Sequence, residues 1–238
     1  MQPHSSQEPS PKSKAPVDGS SAIRSVTDTY SDFAVWLYSK IRFLILRQPF
    51  LDEIGQYLPR GGRILDFGCG FGLFSLYFAL RSPSCHITGV DLNRRRIQHA
   101  RDSAQKLGLS NVDYHEGSAL EGREGERFDA IYMLDLVHHL PAADVPEFLE
   151  KTRALLNPGG VLLLKDVADR PRYKMLFTLA LDRLMVGGEP IRYWPPAELT
   201  QLLEELGFSV KTHRMTDFLP YPHILYVARL ARSSESAA

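Results

Sequence analysis

Two apolar patterns alternate along most of this chain. Apolar-rich runs of strand length stand at Arg63–Phe67, His86–Asp91, Val112–Glu116, Phe128–Leu134 and Val161–Asp166. Between them, apolar residues recur at helical spacing from Leu73 to about Leu80, from Arg94 to Leu107 and from Ala143 to Leu156. The last of these runs into Asn157-Pro158-Gly159-Gly160, a stop-and-turn sequence. Strands that alternate with helices predict a parallel sheet covered on both faces. A helix over Pro196–Leu206 and strands over Ser209–His213 and Ile224–Leu230 close the sequence. The final strands have no long helix between them, which predicts an antiparallel pair at the sheet edge.

Ahead of this series, Tyr30–Arg47 is apolar on nearly every side and is broken only by Lys40, Arg42 and Arg47. At about 100° per residue, Lys40 and Arg47 share one face and Arg42 points roughly the opposite way. These charges argue against a membrane span, which needs around 20 largely apolar residues. A helix packed across the domain as a lid and an interfacial helix resting on a membrane or an apolar substrate both fit. Gln48-Pro49 breaks it, and Phe50–Leu58 reads as a short second helix. Pro171–Val186 interrupts the later alternation with another mostly apolar helix, capped by Gly187-Gly188. The expected organisation is a disordered tail over 1–22, a helical lid over 23–60, a domain over 61–232 with an inserted apolar helix at 171–188, and a tail over 233–238.

The stretch Arg63–Ala79 organises the rest. An apolar strand ends at Phe67, glycines stand at every second position (Gly68, Gly70, Gly72), and Leu73, Phe74, Leu76, Tyr77 and Leu80 recur at helical spacing beyond them. Glycine is used where the backbone needs positive φ or where a ligand comes close. The open N–H groups of the following helix face that turn. This is a cradle for a nucleotide-like cofactor. Dinucleotide sites use G-x-G-x-x-G with a pyrophosphate on the helix N-terminus. Here the third glycine comes one residue early, and Asp66 precedes the first glycine by two positions. A carboxylate is unwelcome beside a pyrophosphate and useful beside a cation.

Asp66-Phe67-Gly68-Cys69-Gly70-Phe71-Gly72 resembles the first motif of the class I S-adenosylmethionine-dependent methyltransferases, apolar-D-x-G-x-G-x-G. Phe128–Pro141, with its doubled histidine, and Leu155–Leu162 resemble the fourth motif and the turn before strand five of the small-molecule, quinone-biosynthesis type. The resemblance implies a Rossmann-like, seven-stranded, mostly parallel sheet ordered 3-2-1-4-5-7-6 with the seventh strand reversed. It implies S-adenosyl-L-methionine as cofactor, with Cys69 inside the turn. Asp91, which ends the second strand, would take the ribose, and Leu92 would lie on the adenine. Gly117, Ser118 and Ala119 would follow, although many relatives carry Asp where this chain has Ser118. Leu134 and Asp135 would lie beside the methionine part, with Val137 and His138 near the transferred methyl. The N/D-P-P-Y/F/W signature of amino-methylating enzymes is replaced by Asp135-Leu136-Val137-His138, and the Asp-Asn pair of the metal-dependent catechol type by Asp166-Val167. Both substitutions point away from nucleic-acid bases and from a metal.

Composition narrows the picture further. The chain has 238 residues, 44% hydrophobic and 24% charged, with a formal net charge of zero. That length suits one decorated α/β domain, and the balance argues against a general nucleic-acid binder. The two cysteines, Cys69 and Cys85, form neither a disulfide framework nor a metal-ligand spacing. A cytoplasmic setting, with possible peripheral membrane contact through residues 30–47, is the expectation, since Met1–Ser21 shows no apolar signal core.

Methyl transfer to oxygen or carbon needs positioning above all, with an acid–base group where the acceptor is a hydroxyl or an acidic carbon. The candidates are His138, His139, Asp166 and His223; adjacent histidines cannot both face one pocket, and Asp166 has Lys165 and Arg170 as competing ion-pair partners. Tyr30 and Tyr38 would close over the cofactor. Trp36, Leu37, Phe43, Leu44 and Ile45 would meet Met175, Leu176, Phe177, Leu179, Leu184 and Met185 as an apolar roof. That suits a quinone-, polyketide- or lipid-like acceptor, with Arg170, Arg172, Arg183 and Arg192 for an anionic head. A nicotinamide-dependent reductase and a catalytically silent cofactor binder are the competing readings.

Overall fold

The computed structural model describes residues 15–118, 120, 122–123, 125–167, 192–215 and 223–230. Three helices come first: α1 (Gly19–Thr27), α2 (Phe33–Ile45) and α3 (Gln48–Gly55). The alternating series follows as β1 (Gly62–Phe67), α4 (Leu73–Arg81), β2 (Cys85–Asp91), α5 (Arg94–Leu107), β3 (Val112–Glu116) and β4 (Phe128–Leu134). One turn of 3-10 helix (Val137–His139) then leads to α6 (Val145–Ala154) and β5 (Leu156–Val167). The last elements are α7 (Pro196–Glu205), β6 (Phe208–Met215) and β7 (His223–Leu230).

The strands form one seven-stranded sheet in the order β3-β2-β1-β4-β5-β7-β6. Neighbours from β3 through β5 are parallel, and β7 lies antiparallel to both β5 and β6. Strand alternation divides the core in two. Ile64, Ala130, Tyr132 and Leu163 pack with α1 to α5 on one face, while Leu65, Phe67, Ile131, Met133 and Leu162 pack with α6 and α7 on the other. The same alternation sends Lys165 and Asp166, adjacent near the end of β5, to opposite faces. All parallel strands deliver their carboxyl ends to one edge.

The N-terminal region departs from the sequence expectation. A helix begins at Gly19, inside the segment 1–22 expected as a tail. Asp18 caps it, accepting from the Ser21 N–H at 3.0 Å, and Ala22 and Val26, one turn apart, are buried. Its small polar residues disguise this anchoring stripe. The leading helix is shorter than Tyr30–Arg47, because the Asp32 side chain accepts from the Ala34 and Val35 N–H groups and sets its start. Near β5, Asn157–Gly160 belongs to the strand itself rather than to a turn before it, with a register shift opposite Phe128–Ala130. The inserted helix expected at 171–188 lies outside the described residues.

The α2 helix is tied to α4 through Phe43, whose ring centre lies 5.8 Å from that of Phe74 and 6.4 Å from that of Tyr77. Phe43→Ala should cost roughly 3 kcal/mol and lower Tm by on the order of 10 °C in a thermal melt.

Candidate active site

The turn after β1 uses its glycines in two ways. Gly68, Gly70 and Gly72 all have positive φ, at 69°, 55° and 79°. The N–H groups of Gly68 and Cys69 donate to the Val90 carbonyl at 2.8 and 3.0 Å, which fastens the turn to β2. A Cβ on Gly72 would lie 2.7 Å from the Tyr114 hydroxyl and 2.8 Å from Ala100, so Gly72 lets α4 pack closely. A Cβ on Gly70 would meet nothing within 4 Å, because Gly70 faces open space. Gly72, expected as a cofactor contact, therefore does not line the cavity; its role is packing. Tyr30 also serves the scaffold, donating its hydroxyl to the Phe71 carbonyl at 2.9 Å, whereas Tyr38 does line the cavity.

That cavity, about 770 Å³, runs along the carboxyl edge of the sheet. Asp66 from β1 opens onto it with Gly68, Cys69 and Gly70 of the turn. From β2 come Asp91 and Leu92, and from the end of β3 Gly117 and Ser118. Leu134 and Asp135 of the β4 end complete the expected cofactor set, except Ala119, which lies outside the described residues. The thiol of Cys69 is buried and its pKa pushed well up by that burial.

Two carboxylates define the electrostatics of this end. Asp91 is pinned: Gly70 N–H donates to its Oδ2 at 2.9 Å and Asn93 N–H to its Oδ1 at 2.8 Å. Each oxygen keeps a free lone pair, as a diol partner requires. Asp66 is buried, and its Oδ2 has no hydrogen-bond partner among the described residues. Burial pushes its carboxyl up to about 7, against the opposing pull of the Tyr132 and Ser75 hydroxyls and with a further rise from Asp91. An unsatisfied buried carboxylate beside an open glycine turn fits a cationic nucleoside.

A second charge cluster sits farther along. Asp135 takes a left-handed conformation, φ 61°, and its N–H donates to the Lys165 carbonyl at 2.8 Å. Its Oδ2 accepts from Arg42 of α2 at 2.8 Å and its Oδ1 is paired with the Lys165 ammonium. Burial alone would raise the Asp135 carboxyl; Lys165 and Arg42, with His138 and His223, more than offset it and hold it far below the usual range. Burial also lowers the Lys165 ammonium, with Asp135 pulling it back up.

The histidine candidates divide. His138 is buried, its Nδ1 bonded to Asp166 Oδ1 and its backbone N–H donating to Asp166 Oδ2 at 3.2 Å; neither residue lines the cavity. His139 and His223 do line it. The His138 and His139 rings are centred 4.1 Å apart. The competing reading of Asp166 as an ion-pair partner of Lys165 gives way to the pleat: Lys165 projects from the other face and pairs with Asp135, and Asp166 with His138. Arg170 lies outside the described residues, as do Arg172, Arg183 and the inserted-helix half of the roof. Of the α2 half, Ile45 lines the cavity and Phe43 packs into the core, while Leu37 and Leu44 turn outward. Sequence reasoning missed Arg42 and Lys165 as site residues. The available signal was a lysine within Leu162-Leu163-Leu164-Lys165-Asp166-Val167, a charge at the buried end of an apolar strand.

This sheet order, with a D-x-G-x-G turn on β1 and a carboxylate ending β2, defines a class I S-adenosylmethionine-dependent methyltransferase. Residues 38–213 match the family described as a methyltransferase domain, and the chain belongs to that family. It is 32% identical over 191 residues to the ubiquinone biosynthesis O-methyltransferase of Dinoroseobacter shibae, covering 73% of this chain and 72% of that protein. It is 37% identical over 138 residues to the enzyme of the same name from Azorhizobium caulinodans, covering 58% and 50%. The chain thus spans between half and about seven-tenths of the length of these relatives. The crystal structure of magnesium protoporphyrin IX methyltransferase from Synechocystis PCC 6803 with bound S-adenosylhomocysteine superposes with TM-score 0.64 at 18% identity, over 90% of this chain and 95% of that one. At that identity the likeness speaks to the fold.

The two glycines should separate in experiment. Gly72→Ala meets buried atoms and should lower stability by roughly 2–3 kcal/mol. Gly70→Ala carries only the left-handed backbone cost of about 1 kcal/mol and should abolish S-adenosylhomocysteine binding in calorimetry while the protein stays folded. For Asp66, the folded-state pKa lies above the unfolded one, so the folded protein binds the extra proton. The resulting destabilisation is absent below about pH 4 and complete above about pH 7. Asp66→Asn should therefore melt higher than wild type above pH 7, the advantage fading toward pH 4, while binding S-adenosylmethionine about tenfold more weakly.

Proposed function

We propose that this chain transfers a methyl group from S-adenosylmethionine to a hydroxyl oxygen of a small, apolar, phenol- or quinone-like acceptor. One observation carries the reading. The cavity that begins at the glycine turn continues to an end walled by His139, His223, Lys165 and Ile45, leaving room for an acceptor next to a donor. The names of the curated relatives support the acceptor class.

When bound, the cofactor supplies an activated methyl on a cationic sulfur. Asp91 would take its ribose hydroxyls and Asp66 its positive charge, with Leu92 and Ser118 at the base. His139 is the cavity-facing imidazole assigned to take the acceptor's proton, because histidine titrates near neutrality. His138, locked by Asp166, is assigned to position His139 through the contact between their rings; His223 is held for orienting the acceptor. The α1–α3 segment serves as the cover of this chamber. A silent binder would share the geometry and is separated by turnover.

We also assign the outer face of α2 to an anionic membrane surface. Among the described residues no helix is long and apolar enough to cross a membrane. Phe33 (72% exposed), Leu37 and Leu44 (60%) nevertheless form one outward stripe with exposed Lys40, an arrangement suited to the headgroup boundary.

His139→Ala should lower kcat on a catechol or hydroxyquinone by about 10²–10⁴-fold with the affinity for S-adenosylhomocysteine unchanged. Equal turnover by variant and wild type removes His139 from the mechanism. Replacing Phe33, Leu37 and Leu44 together by serine should abolish co-flotation with phosphatidylglycerol vesicles; wild type that fails to float contradicts the membrane assignment.

A further inference from the structure

Beside Asp66 lies a hydroxyl that no described residue engages. Asp66 of β1 and Tyr132 of β4 are register partners on adjacent parallel strands and project from the same face. Asp66 lines the cavity; Tyr132, fully buried, does not. The Tyr132 ring is held from α4 by Phe78, edge to face with centres 5.5 Å apart. Its hydroxyl oxygen and the Asp66 Oδ2 are both buried, and neither has a hydrogen-bond partner among the described residues. Burial pushes the Asp66 carboxyl up to about 7 against the pull of the Tyr132 hydroxyl, so the two groups stand within reach of each other. The hydroxyls of Ser75 and Tyr114 are occupied. Ser75 Oγ reaches the Gly72 carbonyl at 3.2 Å and the Tyr114 hydroxyl at 2.9 Å, so both hydrogens are used within that group. The titratable groups that face Asp66 are Asp91 from β2, Tyr114 from β3, Tyr132 from β4 and Cys69 from the turn. None of these is a cation, and of them Tyr132 alone has an uncommitted hydrogen. Two orphaned polar atoms each carry a desolvation cost, which one hydrogen bond between them removes.

We infer that Tyr132 is a positioning residue for the methyl donor: its hydroxyl turns to Asp66 Oδ2 when the cationic nucleoside enters, and so sets the pH range over which the donor binds. A phenol hydroxyl both donates and accepts. While Asp66 carries a proton, the Tyr132 oxygen accepts it; once that proton has left, the phenol hydrogen points to the carboxylate. The second arrangement is charge-assisted and the stronger of the two. Tyr132 therefore favours the ionised Asp66 that a cation needs, without touching the donor itself. With the Asp66 carboxyl up at about 7, donor affinity is full well above that pH and about tenfold lower well below it. Removing the phenol hydroxyl raises the carboxyl further, and the fall begins at a higher pH. The assignment rests on the methyltransferase reading of the cavity.

The experiment is calorimetry with S-adenosylmethionine on the full chain from about pH 5 to about pH 9, with wild type beside Tyr132→Phe, which keeps the ring against Phe78. Wild-type affinity should rise about tenfold across a midpoint of about 7. In Tyr132→Phe that midpoint should move up by about one pH unit, leaving binding about threefold weaker at pH 7 and equal to wild type at the alkaline end. A ring that only packs would change affinity by one factor at every pH, or not at all; either result overturns the inference. Wild-type affinity that does not change with pH overturns it as well, a result that stands even if the variant does not fold. In an Asp66→Asn background, Tyr132→Phe should have no further effect on the pH profile. A shift that persists there ties Tyr132 to another titrating group and also overturns the inference. Wild type that binds no S-adenosylmethionine at any pH refutes the methyltransferase reading, and the inference falls with it.

Discussion

A carboxylate buried at the end of β1 without full hydrogen bonding is the constraint around which this site is arranged. Asp66 lies where the parallel strands converge, and its Oδ2 has no partner among the described residues. Keeping an ionised carboxylate in such a place costs stability, and its raised pKa states that cost directly. The surroundings suit a cationic nucleoside. Gly70 leaves space instead of a side chain, and Asp91 is fastened by two backbone N–H groups with lone pairs to spare.

A second charge cluster, Asp135 with Arg42 and Lys165, lines the same cavity. Asp135 accepts a rarely used backbone conformation because Arg42 and Lys165 hold its carboxylate from two elements. Arg42 comes from α2, so a helix that lines the cavity is bonded to the β4 end of the sheet. Strand alternation sends Lys165 and Asp166 to opposite sides, where they take different partners, Asp135 and His138.

Much of this was legible in the sequence. The bounds of α5, β3 and β4 follow from periodicity alone, and Asp66, Asp91 and the glycine turn announce a cationic nucleoside by spacing and charge. The strand order came from family resemblance, because periodicity carries no information on which strands pair. Three things were not legible. The α1 helix hides among small polar residues, and its stripe of Ala22 and Val26 has meaning only against α4. Gly72 looks the same as Gly70 in the motif, and only the position of Tyr114 shows that one packs and the other faces the cavity. The partners of Lys165 and Asp166 required knowing that Asp135 and His138 arrive at different faces of one strand, a fact of tertiary geometry.

The central claim is that Asp66 gives up a proton when a cationic donor enters the cavity. Calorimetric titration of S-adenosylmethionine at pH 7, in buffers of different ionisation enthalpy, measures this directly. The account predicts binding with release of about half a proton per site, as a carboxyl titrating near 7 requires. Heat independent of the buffer would contradict the role of Asp66, and no binding heat from well-folded protein would contradict the donor site itself.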